Sequence, residues 1–282
     1  MEIHSALNPA PTLETLPQVK SPPRLPDFNA PLATKVRKQI VQALNDFNMI
    51  SDGDKIAVAV SGGKDSSILV ALLNEIRKRS ERRFTIEAMI LDQKQPGFDI
   101  RAFKNWIESL DIKINILEKD TYSIVKEKTP AGAVYCTLCA KFRRAILYDY
   151  VSDHGFTKMA LGHHRDDLVE TTLLNLFYIG QLSSMPAKLK SDDGRNIVIR
   201  PLAYVAEKDL VQLSLEWGFP IIPCNLCGSQ ETLKRKKMKK LIQELEKDIP
   251  NIGASIISAL GNVQPTHLMD HKLWDFKNLT AE

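Results

Sequence analysis

The hexapeptide Ser61-Gly62-Gly63-Lys64-Asp65-Ser66 directly follows the apolar run KIAVAV and runs into SSILVALLNEIRKRS, which begins at Ser66. A strand that breaks into two glycines before a helix offers bare backbone N–H groups at a helix N-terminus, which is an anion site. Gly62 and Gly63 permit close backbone approach, Lys64 adds a point charge, and Ser61 and Ser66 add hydroxyls. Asp65 suits a Mg²⁺ ligand or a helix cap. The Walker pattern requires four residues between its first glycine and the Gly-Lys pair, and SGGKDS lacks that spacing. A P-loop kinase or GTPase is therefore disfavoured, while phosphate binding is not. A plain strand-to-helix turn would explain one glycine but not the whole string.

Four cysteines form two C-x₂-C pairs, Cys136 with Cys139 and Cys224 with Cys227. This spacing lets two thiolates face one metal centre. The separation between the pairs excludes a local zinc knuckle. A zinc site assembled in space, a [4Fe–4S] cluster and persulfide-carrying thiols all remain open.

The string LGHHRDD supplies His163 and His164 as candidates for proton transfer or as satisfied buried histidines. Asp166 and Asp167 suit Mg²⁺ or a nucleotide hydroxyl, and either also complements a helix dipole. Asp92 ends a strand-like run, where it can contact nucleotide or metal, or close a turn. Arg143 and Arg144 lie one helical turn beyond Cys139 and suit phosphate steering or a surface ion pair. In LKRKKMKKLIQELEKD, the cations Lys234, Arg235, Lys236, Lys237, Lys239 and Lys240 crowd the start of a helix whose apolar side is Leu233, Met238, Leu241, Ile242 and Leu245. Such a stripe suits RNA phosphates or a solvated face.

The elements that must position these residues alternate regularly. After a helix in residues 33–50, strands are expected at 55–60, 84–92, 113–120, 158–163 and 196–202. Helices are expected at 66–80, 100–110, 141–155 and 166–180. The alternation predicts an α/β fold, a Rossmann-like doubly wound parallel sheet, with a small helical region past residue 205. In such a sheet, ligands sit beyond the carboxyl ends of the strands, and Ser61–Ser66, Asp92 and residues 162–167 all fall there. Seven of the fifteen prolines lie in residues 1–32, which reads as a flexible extension. We therefore expect an extension at 1–32, a nucleotide-binding domain at 33–220 and a helical region at 221–282.

With 44% hydrophobic and 26% charged residues and a net charge of +4, the composition is that of an ordinary globular protein. The mild positive excess permits a polyanionic partner. No apolar run approaches the ~18 residues of a membrane span, and no secretory signal is evident, so a cytoplasmic, membrane-free setting with reduced thiols is expected.

SGGKDS resembles the signature of the PP-loop ATP pyrophosphatases. Together with LDQKQPGF, CTLC…RR, LGHHRDD, SDDG, VIRPLAY, EKD, FPIIPCNLCGSQ and WDFKN, in that order, it resembles the tRNA 2-thiocytidine biosynthesis proteins over roughly residues 35–277. The resemblance implies adenylation of the cytosine C2 oxygen at position 32 of the anticodon loop, with ATP as co-substrate and Mg²⁺. Sulfur transfer follows. It implies a [4Fe–4S] cluster on Cys136, Cys139 and Cys224, with Cys227 left as a non-ligand. Three ligands leave one iron without a protein ligand, and that iron is expected to carry the transferable sulfide. Lys64, Asp65, Asp166 and Asp167 are the expected catalytic residues. Arg143, Arg144, Lys234, Arg235, Lys236 and Lys237 are the expected tRNA contacts. A cysteine desulfurase or other sulfur donor and a homodimer are the further implied partners. An adenylating enzyme without a cluster and a zinc-stapled RNA-binding protein are the alternatives. Ile179 and Ala187 depart from the glycine and proline expected there, in what reads as a connecting loop.

Overall fold

The computed structural model describes residues 25–128, 136–222 and 233–280. A six-stranded sheet runs in the order β3-β2-β1-β4-β6-β5. Its strands are β1 (Lys55–Ala59), β2 (Thr85–Asp92), β3 (Ile114–Glu118), β4 (Lys158–Leu161), β5 (Lys188–Lys190) and β6 (Ile197–Ile199). All pairings are parallel except the β5–β6 edge. The sheet is thus Rossmann-like and mostly parallel, as the alternation predicts. The antiparallel β5 is an addition: its three residues, Lys-Leu-Lys, carry no recognisable strand pattern.

Side chains alternate across each strand, so the sheet builds two cores. Ile56, Val58, Ile86, Ala88 and Ile90 pack on one face. That face is covered by α1 (Pro31–Asp46), α2 (Lys64–Arg79), α3 (Arg101–Ser109) and α7 (Glu207–Trp217), through Ile40, Leu72, Trp106 and Leu213 among others. Ala57, Met89, Met159 and Val198 face the other side, against Leu147 and Val151 of α5 (Cys136–Asp153). Both faces being covered explains why β1 and β2 read as near-continuous apolar runs.

β1 pairs with β2 on one side and β4 on the other. Strand order reverses there, so the carboxyl ends of β1 and β4 flank the switch point, the place where open α/β sheets bind ligands. The 55–60 strand ends at Ala59, and the first helix ends at Asp46 instead of residue 50. A short α4 (Thr121–Lys128) was not evident from sequence. The expected 166–180 helix is two pieces, α6 (Arg165–Leu174) and a single π turn over Asn175–Ile179, closed by Gly180 at φ +74°.

Ile179 therefore ends that turn, 67% exposed, whereas Ala187 is a buried residue of the connecting segment, immediately before β5. The C-terminal region packs α8 (Leu233–Asp248) and α9 (Ile252–Leu260) on α6. No described helix is long and apolar enough to cross a membrane.

Candidate nucleotide and thiolation site

The glycine loop is built by the chain leaving β1. Gly62 sits at φ +78°, which L side chains rarely adopt. The loop ties itself together: Ser61 N–H donates to Ser66 Oγ (3.1 Å), and the Ser66 and Ser67 hydroxyls donate to Gly63 O (3.2 and 2.8 Å). These contacts hold the first turn of α2, whose N–H groups have no helical acceptor, open to an incoming anion. Gly162, at the end of β4, approaches so closely that a Cβ there would lie 2.9 Å from Ser66 N. The two motif loops are thus packed backbone to backbone.

Lys64 is buried, its side chain only 4% exposed, and its ammonium lies 3.0 Å from Asp65 Oδ1 and 3.4 Å from Glu207 Oε1. Glu207 opens α7, and its second carboxylate oxygen is 2.7 Å from Lys239 Nζ of α8. Burial alone would raise the Glu207 carboxyl, but the Lys239 hydrogen bond and the charges of Lys64 and Lys239 outweigh it and hold the group at about 2.

The acid pair after β4 is already engaged by protein groups. Asp166 Oδ2 accepts Glu207 N–H (2.7 Å), tying the start of α6 to the start of α7. Asp167 Oδ2 accepts His164 N–H (3.0 Å), and its Oδ1 meets Arg235 Nη2 at 2.7 Å. Arg235 Nε also reaches Glu170 at 2.6 Å. His164 is buried at the α6 N-cap. His163 is desolvated, and burial, helped by Arg200 and Arg235, lowers it to about 4 against the opposing pull of Asp167. It is neutral near pH 7, and its Nδ1 is buried with no hydrogen-bond partner among the described residues.

Asp92 closes a turn: it accepts Lys94 N–H (2.7 Å) and pairs with Lys94 Nζ (3.1 Å), where Lys94 has φ +60°. The next residue, Gln93, is buried and accepts from both Thr121 Oγ1 (3.0 Å) and Cys139 Sγ (3.1 Å). Cys139, buried in the first turn of α5, therefore sits against the carboxyl end of β2. Cys136 begins the same helix, three residues earlier. Cys224 and Cys227 lie outside the described residues. The chain leading to them is anchored, because Ile222 N–H donates to Gly62 O at 3.0 Å.

Arg143 and Arg144 follow on α5, the first half-buried and the second exposed. On α8, Lys234, Lys236 and Lys237 are exposed, with Lys234 Nζ 4.6 Å from the Tyr178 ring centre. Arg235 points inward to the acids instead. Of the expected apolar side of α8, Met238 and Ile242 are buried, but Leu233 is 79% exposed. Glu207 and Gln93 were missed as site residues, although EKD and LDQKQPGF contain them. Among the described residues, no three His, Cys, Asp or Glu side chains converge to hold a metal. A shallow groove at the opposite end of the sheet, lined by Lys55, Glu87 and Lys113, carries none of these motifs.

Residues 32–218 match the model of the PP-loop domain family. The tRNA-cytidine(32) 2-sulfurtransferase of Bdellovibrio bacteriovorus is 65% identical over 253 residues, covering 90% of this chain and 97% of the relative. The enzyme of the same name from Coxiella burnetii is 50% identical over 252 residues, 88% of this chain and 98% of the relative. Among solved structures, the U34-tRNA thiolase NcsA of Methanococcus maripaludis, with its [4Fe–4S] cluster, superimposes with a TM-score of 0.66. It is 21% identical and covers 82% of this chain and 78% of its own, a likeness of fold.

Proposed function

The chain belongs to the PP-loop family, and within it to the tRNA-cytidine(32) 2-sulfurtransferases, and from that premise we propose that it uses ATP to replace the C2 oxygen of cytidine 32 in tRNA with sulfur. One observation carries the reading. The glycine loop, the His163–Asp167 turn and Cys139 all open on the carboxyl end of one sheet, and the chain entering the second cysteine pair is bonded to Gly62.

The C2 oxygen of cytosine is a poor leaving group. Its attack on the α-phosphorus of ATP forms an O–P bond and expels pyrophosphate. A sulfur nucleophile then attacks C2, and the adenylated oxygen departs as AMP. The α2 N-terminus, Gly62, Gly63, Ser61 and Lys64 bind and orient the phosphates, donating to charge as it develops on pyrophosphate. His163, neutral and with a free Nδ1, suits taking the proton given up by the incoming sulfur. Mg²⁺ commonly uses one or two carboxylates plus substrate phosphates. We assign it to the ATP phosphates and Asp65, whose described partner is the Lys64 ammonium of the same loop, whereas Asp166 and Asp167 are held by Glu207 N–H, His164 N–H and Arg235.

The donor set fits a cluster. Cys136 and Cys139 are one turn apart on one helix. Gln93, whose oxygen accepts the Cys139 thiol, can turn its amide to donate N–H to a thiolate instead. Cys136, Cys139 and Cys224 would hold a [4Fe–4S] group, which when bound supplies the sulfur-delivery chemistry. We take 33–220 as the catalytic unit and 221–282 as its helical appendage. A cytoplasmic setting, a homodimer and a cysteine desulfurase or other sulfur donor complete the reading.

The test is anaerobic purification with iron, sulfide and zinc analysis, followed by incubation with ATP and tRNA and mass analysis of the nucleosides. About four irons per chain and 2-thiocytidine at position 32, with AMP released, are expected. A colourless protein that still modifies tRNA would favour an adenylating enzyme without a cluster. Stoichiometric zinc with no turnover would leave an RNA-binding protein.

A further inference from the structure

The basic helix α8 has two rows of cations. Arg235, Met238, Lys239 and Ile242 share one face at i, i+3, i+4 and i+7 spacing, and Met238 and Ile242 are buried. On that face Arg235 grips Asp167 and Glu170, and Lys239 grips Glu207 at 2.7 Å. Glu207 in turn reaches the buried ammonium of Lys64, the glycine-loop lysine, at 3.4 Å. Lys234, Lys236, Lys237 and Lys240 lie on the exposed remainder of the helix.

We propose that Lys239 and Glu207 are positioning residues of the ATP site, and that the inward row of α8 serves the nucleotide while only the outward row serves tRNA. A lysine as buried as Lys64 needs its charge balanced, and two adjacent carboxylates, Asp65 and Glu207, would overcompensate it. Lys239 supplies the fourth charge, so the row Asp65–Lys64–Glu207–Lys239 is neutral. Glu207 is also fixed through its backbone, since its N–H is held by Asp166. The carboxylate is therefore a rigid stop that sets where Lys64 Nζ points, and Lys239 keeps the stop in place. Removing Lys239 leaves Glu207 free to draw Lys64 away from incoming phosphates.

This proposal rests on the tRNA reading only for its outward row. Equilibrium binding of ATP, measured by calorimetry without tRNA, tests the inward row independently of any thiolation. Lys239→Gln and Glu207→Gln should each weaken ATP binding roughly tenfold, the scale of one partly desolvated ion pair. The double variant should be little worse than either single variant, and Lys239→Arg should recover most of the loss. tRNA affinity by filter binding should change less than about twofold for Lys239→Gln. Lys237→Gln should do the reverse. Lys239→Gln that binds ATP normally but lowers tRNA affinity and its salt dependence, as Lys237→Gln does, overturns the proposal. Additive losses in the double variant overturn the coupling. If no variant and no wild-type protein binds tRNA, the thiolation reading fails while the ATP data still decide the inward row.

Discussion

Ile222 donates its backbone N–H to the carbonyl of Gly62 at 3.0 Å, and its side chain fills the space that a Cβ on Gly62 would need, 2.6 Å away. Gly62→Ala thus meets two obstacles, a positive φ and a collision with Cβ of Ile222. The variant should lose on the order of 2 kcal/mol of stability and most ATP affinity, read by urea unfolding and calorimetry. Ile222→Ala should not rescue it, because the 2.6 Å contact is to Cβ itself, which alanine keeps.

His163 gives stability a pH dependence. Its folded value, about 4, lies below its ordinary 6.5, chiefly through burial. Between these values the unfolded chain binds a proton that the folded chain refuses, so stability rises with pH across that window and levels off above it. Urea midpoints measured from pH 4 to 7 should rise in the wild type. His163→Gln should flatten the rise, and an unchanged slope would mean that His163 is not the group responsible.

Cys139→Ser keeps a small polar group against Gln93 but removes a thiolate. The expected outcome is a folded protein with wild-type melting temperature within a few degrees, depleted iron after anaerobic purification and no 2-thiocytidine formed. Full thiolation by an iron-free Cys139→Ser protein would refute the cluster's role.

The outward cations of α8 should act on RNA through charge alone. Replacing Lys234, Lys237 and Lys240 together with Gln should weaken tRNA binding and reduce the slope of log K against log salt by about 2–3. ATP affinity should stay as it was. A slope that does not change would remove this face from the interface.

Much of this architecture is legible in the sequence, for identifiable reasons. β1, β2 and β4 are buried on both faces, so KIAVAV, FTIEAMILD and KMALGH read as strands without alternation. The glycine loop is legible because Gly62 needs a conformation few other residues take. β5 was illegible because its three residues alternate lysine with leucine on an edge, too short for a period to register. The π turn was hidden inside a continuous helical pattern, since its widened bonding leaves no compositional trace.

Within the site, Glu207 and Gln93 escaped because their partners are distant in the chain: Lys64 lies 143 residues from Glu207, and Cys139 lies 46 from Gln93. Arg235 and Lys239 looked like members of a uniform charge run. The signal that could have separated them was the placement of Met238 and Ile242 on the same side of the helix wheel.

Because each residue advances an α-helix by about 100°, the two cation rows of α8 share one angular register. A single alanine inserted between Arg235 and Met238 would keep every charge of the helix and its helical propensity. It would nonetheless turn Arg235 away from Asp167 and Glu170 while Lys239 stayed on Glu207. This helix can therefore tolerate exchanges among its outward lysines far more readily than any change in its length, and indels there should be rarer than substitutions in a library selected for activity.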